Sequence, residues 1–430
     1  MIRKITMSNF KKSLIEFLDN SKTAYHTVKN ISEKLEANGY TRLYECDKWT
    51  LAEGGKYYVV RDGSSVIAFK NNGGGFMISA SHSDSPAFRV KEDATLGAYV
   101  KLETEKYGGM IHYTWMDRPL TVMGRVTVKT DKGLEVRLCD IGGKSVVIPS
   151  LAIHMNRNVN ESCKLNPAQD LLPLASLSGK RGELLELVAK SVGREPEDIV
   201  SHELYLVSNE APMVFGLNGE MLLSSRLDDL SSVCASLEAF LSAKDTESTA
   251  VLAVFDNEEV GSSTKQGAGS TFLYDVLKRI SDNEEDYLRR LASSFMVSVD
   301  NAHALHPNHP EMADKSNAPI MGKGIVIKYN ANQRYATDAL SDAIFRDICK
   351  TAGVNVQSYF NRADLPGGST LGSISDTKVS IPTVDIGIPQ LAMHSLSECL
   401  AIGDAEEMKS ALESFYSKSL SVKGEKITII

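Results

Sequence analysis

Two adjacent carboxylates, Glu258 and Glu259, lie where a buried strand is predicted to end, and they are candidates for metal binding and proton transfer. An apolar run from Thr249 to Phe255 predicts that strand. Adjacent side chains at a strand end point in different directions, so one carboxylate can bind a metal ion while the other moves the proton of an attacking water. Acidic pairs are usually solvated loop residues, so this hypothesis needs further ligands elsewhere.

Further candidate ligands follow other predicted strands and loops. His82 and Asp84 come directly after the apolar run from Phe76 to Ser81, and Asp84 is near enough in sequence to orient the imidazole of His82. Open α/β sheets build their sites beyond the carboxyl ends of strands, from residues far apart in sequence, so we expect the candidates to converge. The other candidates are Asp300 after the apolar run from Phe295 to Val299, Asp228 before a helical pattern that runs to about Ala243, and His394 after the segment from Val384 to Gln390.

Two histidines and three carboxylates suit a pair of first-row divalent metal ions bridged by one carboxylate, and zinc is the metal that we expect. Cobalt and manganese accept the same ligands and stay open as alternatives. A structural zinc site is not predicted, because such sites use paired cysteines at short spacing. The six cysteines of this chain are instead scattered singly, at Cys46, Cys139, Cys163, Cys234, Cys349 and Cys399.

Composition limits the classes of partner and the compartment. With 430 residues, of which 42% are hydrophobic and 24% charged, the chain can form one large core and a second domain. Its formal net charge of −8 argues against a nucleic-acid partner, and no apolar run predicts a membrane span. The first residues lack the apolar core of a signal peptide, so we expect a cytoplasmic location.

The pattern of apolar residues changes twice along the chain. Helical spacing near the start, followed by strands, predicts an α/β domain. Alternating segments such as Leu120 to Thr130 then predict a β-rich region, after which strands and helices alternate again. We therefore predict an α/β catalytic domain formed by residues 1–90 and 221–430, interrupted by a β-rich insert of residues 91–220.

Seven short blocks occur in one order across nearly the whole chain. They are His82-Ser83-Asp84-Ser85-Pro86, Tyr107-Gly108-Gly109, Thr114-Trp115-Met116-Asp117-Arg118-Pro119-Leu120, Arg226-Leu227-Asp228, Asp256-Asn257-Glu258-Glu259-Val260-Gly261-Ser262, Asp300 to Asn308, and Gln390-Leu391-Ala392-Met393-His394-Ser395. In this order they resemble the aspartyl aminopeptidase and aminopeptidase I family of dinuclear zinc metallopeptidases, although any single block could arise by chance. The resemblance implies a three-layer catalytic domain of the zinc-exopeptidase type and an inserted β-rich dimerisation domain.

The same resemblance implies a role for each candidate. It implies a metalloaminopeptidase in which two metal ions activate a water and Glu258 is the general base. Asp84 falls where the family uses a carboxylate to orient a histidine ligand, in agreement with its spacing from His82. The implied ligands are His82 and Asp300 for one ion, Glu259 and His394 for the other, and Asp228 bridging the two.

Substrate-binding residues are also implied by the resemblance. His303, Lys328 and Tyr335 match positions that line the pocket for the first side chain of the substrate, and a lysine there favours an N-terminal Asp or Glu. The loop over the pocket includes Gly368 and has Gly367 where acid-specific members carry cysteine. We therefore expect a preference for acidic N-terminal residues, with a neutral preference as the alternative.

The resemblance finally implies a homo-oligomer, in which dimers formed through the insert assemble into a dodecamer. His154 closes the segment from Ile148 to His154, which matches a family segment whose histidine reaches the site of a neighbouring subunit. His154 is therefore a candidate oxyanion or substrate contact supplied in trans.

Two other functions stay open at this point. The same ligand set could serve a metal-dependent deacylase or carboxypeptidase, which would need a carboxylate clamp in place of an amine site. A non-catalytic assembly protein on the same fold would lack a ligand or the general base, and the sequence contains all of them.

Overall fold

The computed structural model describes residues 8–96, 99–143, 145–365, 367–424 and 426–430. Numbered along the chain, its strands are β1 Thr41–Leu43, β2 Lys56–Arg61, β3 Ser65–Lys70, β4 Phe76–His82, β5 Ala87–Leu96, β6 Tyr99–Tyr107, β7 Leu120–Thr130, β8 Gly133–Asp140, β9 Leu174–Ser176, β10 Ile199–Ser208, β11 Met213–Phe215, β12 Met221–Ser224, β13 Thr249–Phe255, β14 Phe295–Val299, β15 Ala302–His303, β16 Ile325–Tyr329, β17 Val356–Phe360, β18 Thr383–Gly387, β19 Pro389–Leu391, β20 Glu398–Ala401, β21 Leu420–Lys423 and β22 Lys426–Ile429. Its helices are α1 Asn9–Asn20, α2 Ala24–Ala37, α3 Glu183–Ser191, α4 Leu227–Ser242, α5 Phe272–Ile280, α6 Glu284–Leu291, α7 Ala339–Ala352, α8 Leu371–Asp376 and α9 Ile402–Tyr416.

A nine-stranded mixed sheet, in the order β1-β2-β3-β13-β4-β14-β18-β16-β17, forms the centre of the described structure. Its neighbouring strands β13, β4, β14 and β18 are parallel to one another. Every residue of these four strands is buried, as expected for parallel strands covered by helices on both faces. Their carboxyl ends therefore meet at one edge of the sheet, where the candidate ligands follow.

Helices cover the two faces of this sheet. Alternation along β13 sends Leu252 and Val254 to one apolar core and Val251 and Phe255 to the other. Helices α1, α2, α4, α7 and α9 pack into the first core, and α5, α6 and α8 pack into the second. The predicted three-layer α/β fold is thus confirmed. Within the described part of the chain, no helix combines the length and the apolar character needed to cross a membrane.

Local sequence signals begin and end several of these helices. The Ser8 hydroxyl accepts the N–H of Lys11 at 3.1 Å and caps α1. Asp338 and Ser341 form a capping box at the start of α7, and that helix ends at Gly353 with φ 70°. These caps fix where the surface helices begin and end against the sheet.

Strands β5 to β10 form a separate six-stranded antiparallel sheet in the order β8-β7-β10-β5-β6-β9. Helix α3 packs on it through Val188, and Trp115 joins the same apolar core. The predicted β-rich insertion is therefore confirmed, and the alternating segment Leu120–Thr130 coincides with β7.

A smaller sheet, in the order β11-β12-β20-β19-β15, connects the chain after the insert with its C-terminal part. Its neighbouring strands β19 and β20 are antiparallel, and the loop between them carries His394. The smaller sheet therefore positions the one candidate ligand that does not follow a strand of the central sheet or begin α4.

Candidate active site

The parallel strand ends bring several predicted site residues together. His82 is the last residue of β4, and Asp300 follows β14 directly. After β13 the chain turns at Asn257, whose φ of 62° lies in the left-handed region, and Glu258 and Glu259 occupy a short 3-10 turn. These four side chains therefore lie beyond the same edge of the sheet, as the sequence predicts.

Asp228 lies at the centre of the cluster and faces both histidines. His82 Nε2 lies 3.4 Å from Asp228 Oδ1, and His394 Nε2 lies 3.4 Å from Asp228 Oδ2. His394 Nε2 also lies 3.4 Å from Glu259 Oε1. Each oxygen of one carboxylate thus faces a different imidazole, which is the arrangement expected of a bridging ligand.

The cluster also includes a carboxyl group that was not among the predicted site residues. Ligand atoms of His82, Asp228, Asp229 and Asp300 all lie within 4.8 Å of one another. Asp229 accepts the backbone N–H of His82 at 3.2 Å, and its peptide bond to Asp228 is cis. Asp229 therefore adds a carboxyl group to the cluster and holds the backbone of a predicted ligand.

The donor set fits divalent metal ions. Asp228 Oδ1 and Glu259 Oε1 are buried and accept no hydrogen bond from the described residues. Buried carboxylate oxygens without a partner are costly unless a cation compensates them. Two ligand atoms of a tetrahedral zinc ion lie about 3.4 Å apart, given bond lengths of about 2.0–2.1 Å, and the cluster shows that separation.

Burial, together with the crowded charge, shifts the pKa of each histidine and carboxyl group in the cluster. Burial opposes protonation of His82, yet Asp228 and Asp84 raise its pKa well above the usual value. Burial raises the pKa of Glu258 to about 8, with nearby carboxylates adding to the effect and His82 opposing it. Burial also raises the pKa of Glu259 well above the usual range. A divalent cation would reverse these shifts, because it stabilises the ionised carboxylates and the neutral imidazoles.

Asp84 connects the strand that carries His82 with the turn that carries the two glutamates. Its carboxylate accepts the backbone N–H of Glu258 at 3.1 Å and that of Glu259 at 3.2 Å. His82 Nδ1 lies 3.1 Å from the backbone oxygen of Asp84 and 3.4 Å from its carboxylate. Asp84 therefore positions three site residues, and its main chain takes part in orienting the imidazole.

Three residues of the insert reach the cluster, and their roles were not predicted. The Tyr107 hydroxyl donates to Asp84 at 2.6 Å, and the ring Nδ1 of His394 lies 2.6 Å from the Gly109 carbonyl. An ideal Cβ built on Gly108 would lie 3.1 Å from Glu259 Cβ, and Gly108 has a φ of 74°. Only glycine suits that close approach and conformation. The block Tyr107-Gly108-Gly109 was visible in the sequence, but its contacts depend on how the two sheets meet.

A cavity of about 320 Å³ opens beside the cluster. The predicted substrate-binding residues His303, Lys328, Tyr335 and Gly368 all line it. Lys328 Nζ donates to the backbone oxygen of Asp300 at 2.7 Å and lies 3.5 Å from its carboxylate. The ammonium group therefore stabilises a predicted ligand as well as facing the cavity. An ideal Cβ on Gly367 would lie 2.6 Å from Asn361 Oδ1, so a cysteine there would require Asn361 to move.

Comparison with known proteins identifies the family. A family model described as aminopeptidase I zinc metalloprotease (M18) matches residues 17–416. The chain belongs to the M18 family. It is 44% identical over 425 residues to a probable M18 family aminopeptidase 2 of Clostridium acetobutylicum, with 95% of this chain and 98% of that protein covered. The prediction of a metallo-aminopeptidase, a zinc-family hydrolase, is thereby confirmed.

Solved structures of M18 proteins share the fold. A structure of Ape4 in complex with Nbr1 matches with a TM-score of 0.92 and 33% identity, covering 94% of this chain and 86% of that one. The mApe1 dodecamer of S. cerevisiae matches with a TM-score of 0.84 and 24% identity, covering 95% and 96%. Both matches extend over the catalytic domain and the insert.

His154 is the one predicted site residue of this M18 chain that lies away from the cluster. It is exposed in a turn of the insert and does not line the cavity described above. The neighbouring Leu151, Ile153 and Met155 are also exposed. A role for His154 would therefore require a second subunit.

Proposed function

We propose that this M18 enzyme holds two divalent metal ions, zinc or alternatively cobalt or manganese, and removes N-terminal residues from peptides. The observation that carries the proposal is the position of Asp228, whose two oxygens each lie 3.4 Å from a different histidine. The proposed ligands are His82 and Asp300 for one ion, Glu259 and His394 for the other, and Asp228 for both.

When bound, the metal ions polarise the peptide carbonyl and lower the pKa of the attacking water. Glu258 takes the proton of that water and passes it to the leaving amine, as a general base and then a general acid. The main chain of Glu258 is held by the hydrogen bond from its N–H to Asp84. Asp84 in turn accepts a hydrogen bond from the Tyr107 hydroxyl. Asp84 and Tyr107 therefore support Glu258 without taking part in the reaction themselves.

We further propose that the cavity binds an acidic N-terminal side chain. Lys328 supplies the positive charge, and His303, Tyr335 and Gly368 supply the walls. Tyr335 and Lys328 are both buried, and the Lys328 ammonium lies 5.3 Å from the centre of the Tyr335 ring. A charge on so deeply buried a side chain discriminates more strongly between an acidic and a neutral partner than a charge in water does.

Peptides that differ only in the first residue test this function. We expect zinc-loaded protein to release Asp and Glu faster than Leu from matched peptides, and to leave N-acetylated peptides intact. Replacing Lys328 with Met should lower the kcat/KM ratio of Asp to Leu substrates by about 10-fold or more, because a hydrogen bond to a charged group contributes about 1.5–3 kcal/mol.

The ratio separates the two roles of Lys328. A weakened metal site would slow both substrates equally, whereas loss of charge recognition slows the acidic one alone. An unchanged ratio would contradict the acidic pocket, and cleavage of blocked peptides alone would favour the deacylase or carboxypeptidase alternative.

We propose as well that the protein forms a homo-oligomer, with dimers assembling into a dodecamer, and that His154 acts in the site of a neighbouring subunit. The dodecamer of the related mApe1 structure supports this state. Exposed apolar side chains around His154, with Leu151 at 58% and Met155 at 75%, support a buried interface on the same loop. The domain boundaries and the cytoplasmic location stay predictions.

A pair of variants tests the trans contact. His154→Ala should keep the oligomer and lower kcat by about 10²-fold, the loss typical of an oxyanion contact. Met155→Asp, the matched interface variant, should dissociate the oligomer and lower kcat as well, as followed by light scattering and kinetics. Full activity of a dissociated, metal-loaded protein would exclude a residue supplied by another subunit.

A further inference from the structure

A buried carboxylate outside the ligand set touches the backbone of two proposed ligands. Glu398 is the first residue of β20 and is only 2% exposed. Its Oε1 accepts the N–H of His394 at 2.6 Å, and its Oε2 accepts the N–H of Asp228 at 3.0 Å. One side chain thus connects the start of α4 with the loop between β19 and β20.

Neither backbone N–H has an acceptor within regular structure. Asp228 lies in the first turn of α4, where N–H groups have no partner inside the helix, and its φ of −80° and ψ of 108° are not helical. The N-cap residue Arg226 makes no capping hydrogen bond with its side chain. Glu398 supplies the missing acceptor for this end of the helix.

His394 needs support for a different reason. Its φ of 66° lies in the left-handed region, which is unfavourable for a residue with a Cβ atom. Such a conformation persists only where the surroundings hold it. The short bond from the His394 N–H to Glu398, together with the contact of its ring with Gly109, fixes the direction of the imidazole.

A carboxylate is the group best suited to this position. It offers two acceptor oxygens and no donor, whereas the amide of glutamine would turn an NH2 group toward one of the two N–H groups. Arg226, whose guanidinium donates to backbone oxygens at the end of α1, also attracts the charge of Glu398. Glu398 contacts the two proposed ligands through their main chain.

We infer that Glu398 is a positioning residue, which sets the distance between Asp228 and His394 and thereby the affinity of the metal site that these two share with Glu259. The inference rests on the proposed function, because it takes Asp228 and His394 to be ligands. It assigns no reacting role to Glu398 itself.

Zinc affinity of the apo protein tests the inference directly. We expect Glu398→Gln to weaken the binding of one zinc ion by about 10–100-fold, the usual effect of losing a group that supports a ligand. Competition with a chromophoric chelator gives the affinity, and elemental analysis after dialysis gives the stoichiometry. Both readouts are independent of turnover.

Asp404 offers a matched control. It is 1% exposed, and its carboxylate accepts the backbone N–H of Gly322 at 2.6 Å and that of Gly324 at 2.9 Å. Its bonds therefore reproduce those of Glu398 in the loop before β16, and it does not line the cavity beside the cluster. Asp404→Asn should lower thermal stability while zinc affinity stays as in the wild type.

The results for these variants separate a failure of the inference from a failure of the proposed function. Wild-type zinc affinity and stoichiometry in folded Glu398→Gln would overturn the inference, and so would equal losses of affinity in the Asp404 control. Should Glu398→Gln fail to fold, Glu398→Asp carries the same test, because its shorter side chain cannot reach both N–H groups. A wild-type protein that binds zinc without cleaving peptides would contradict the proposed function, while the comparison of zinc affinities would still decide the role of Glu398.

Discussion

Replacing Glu258 with Gln should lower kcat for peptide hydrolysis by about 10²–10⁴-fold, the usual contribution of a general acid–base group. The amide keeps the size of the side chain and the backbone bond to Asp84, but it cannot accept the proton of the attacking water. Zinc content should remain that of the wild type, because Glu258 is not a proposed ligand. Steady-state kinetics together with elemental analysis of the same preparation would test this.

Glu259→Gln is the matched comparison, since it makes the same chemical change on the adjacent residue. There we expect zinc loss to accompany the loss of activity, because Glu259 faces His394 across 3.4 Å. Unchanged turnover in Glu258→Gln would rule out its assignment as the general base. Zinc loss in both variants would indicate that both glutamates are ligands.

Replacing Asp228 with Ala should abolish the binding of both zinc ions and lower activity by more than about 100-fold, which exceeds the usual effect of losing a supporting group. The reason is that its two oxygens face the two histidines separately, so neither half of the cluster is complete without it. Elemental analysis after dialysis and calorimetric titration of the apo protein would give the number of sites.

Asp300→Ala provides the contrast. Asp300 shares its close cluster with His82 and Asp228 and not with His394, so its loss should remove one zinc ion and leave the other. Retention of two zinc ions in Asp228→Ala would exclude the bridging role. If Asp228→Ala and Asp300→Ala bound the same number of zinc ions, Asp228 would not be required for both sites.

Strands that correspond to a local run of apolar residues could be predicted from the sequence. The predicted strands Thr249–Phe255 and Phe295–Val299 coincide with β13 and β14, because long apolar runs between polar residues have few alternatives to a buried strand. The rule that strand ends form the site then brought His82, Asp300 and the two glutamates to one edge. These predictions used only periodicity and one general property of parallel sheets.

Features that depend on contacts between distant segments of the chain could not be predicted from the sequence. Residue propensities do not predict the non-helical backbone of Asp228 or the left-handed backbone of His394. Each conformation is held by groups far away in sequence. Glu398 reads as an ordinary strand residue, and Tyr107 as the end of a strand in another sheet. Their roles appear only when the loop after β19, the start of α4 and the insert are seen side by side.

The segment Tyr107-Gly108-Gly109 connects the inserted domain to the proposed active site. The segment contacts Asp84, Glu259 and His394. A shift of the insert would therefore displace groups on both sides of the cluster. A chimera that exchanges inserts between relatives would therefore need this tripeptide to be transferred together with the three residues that it contacts.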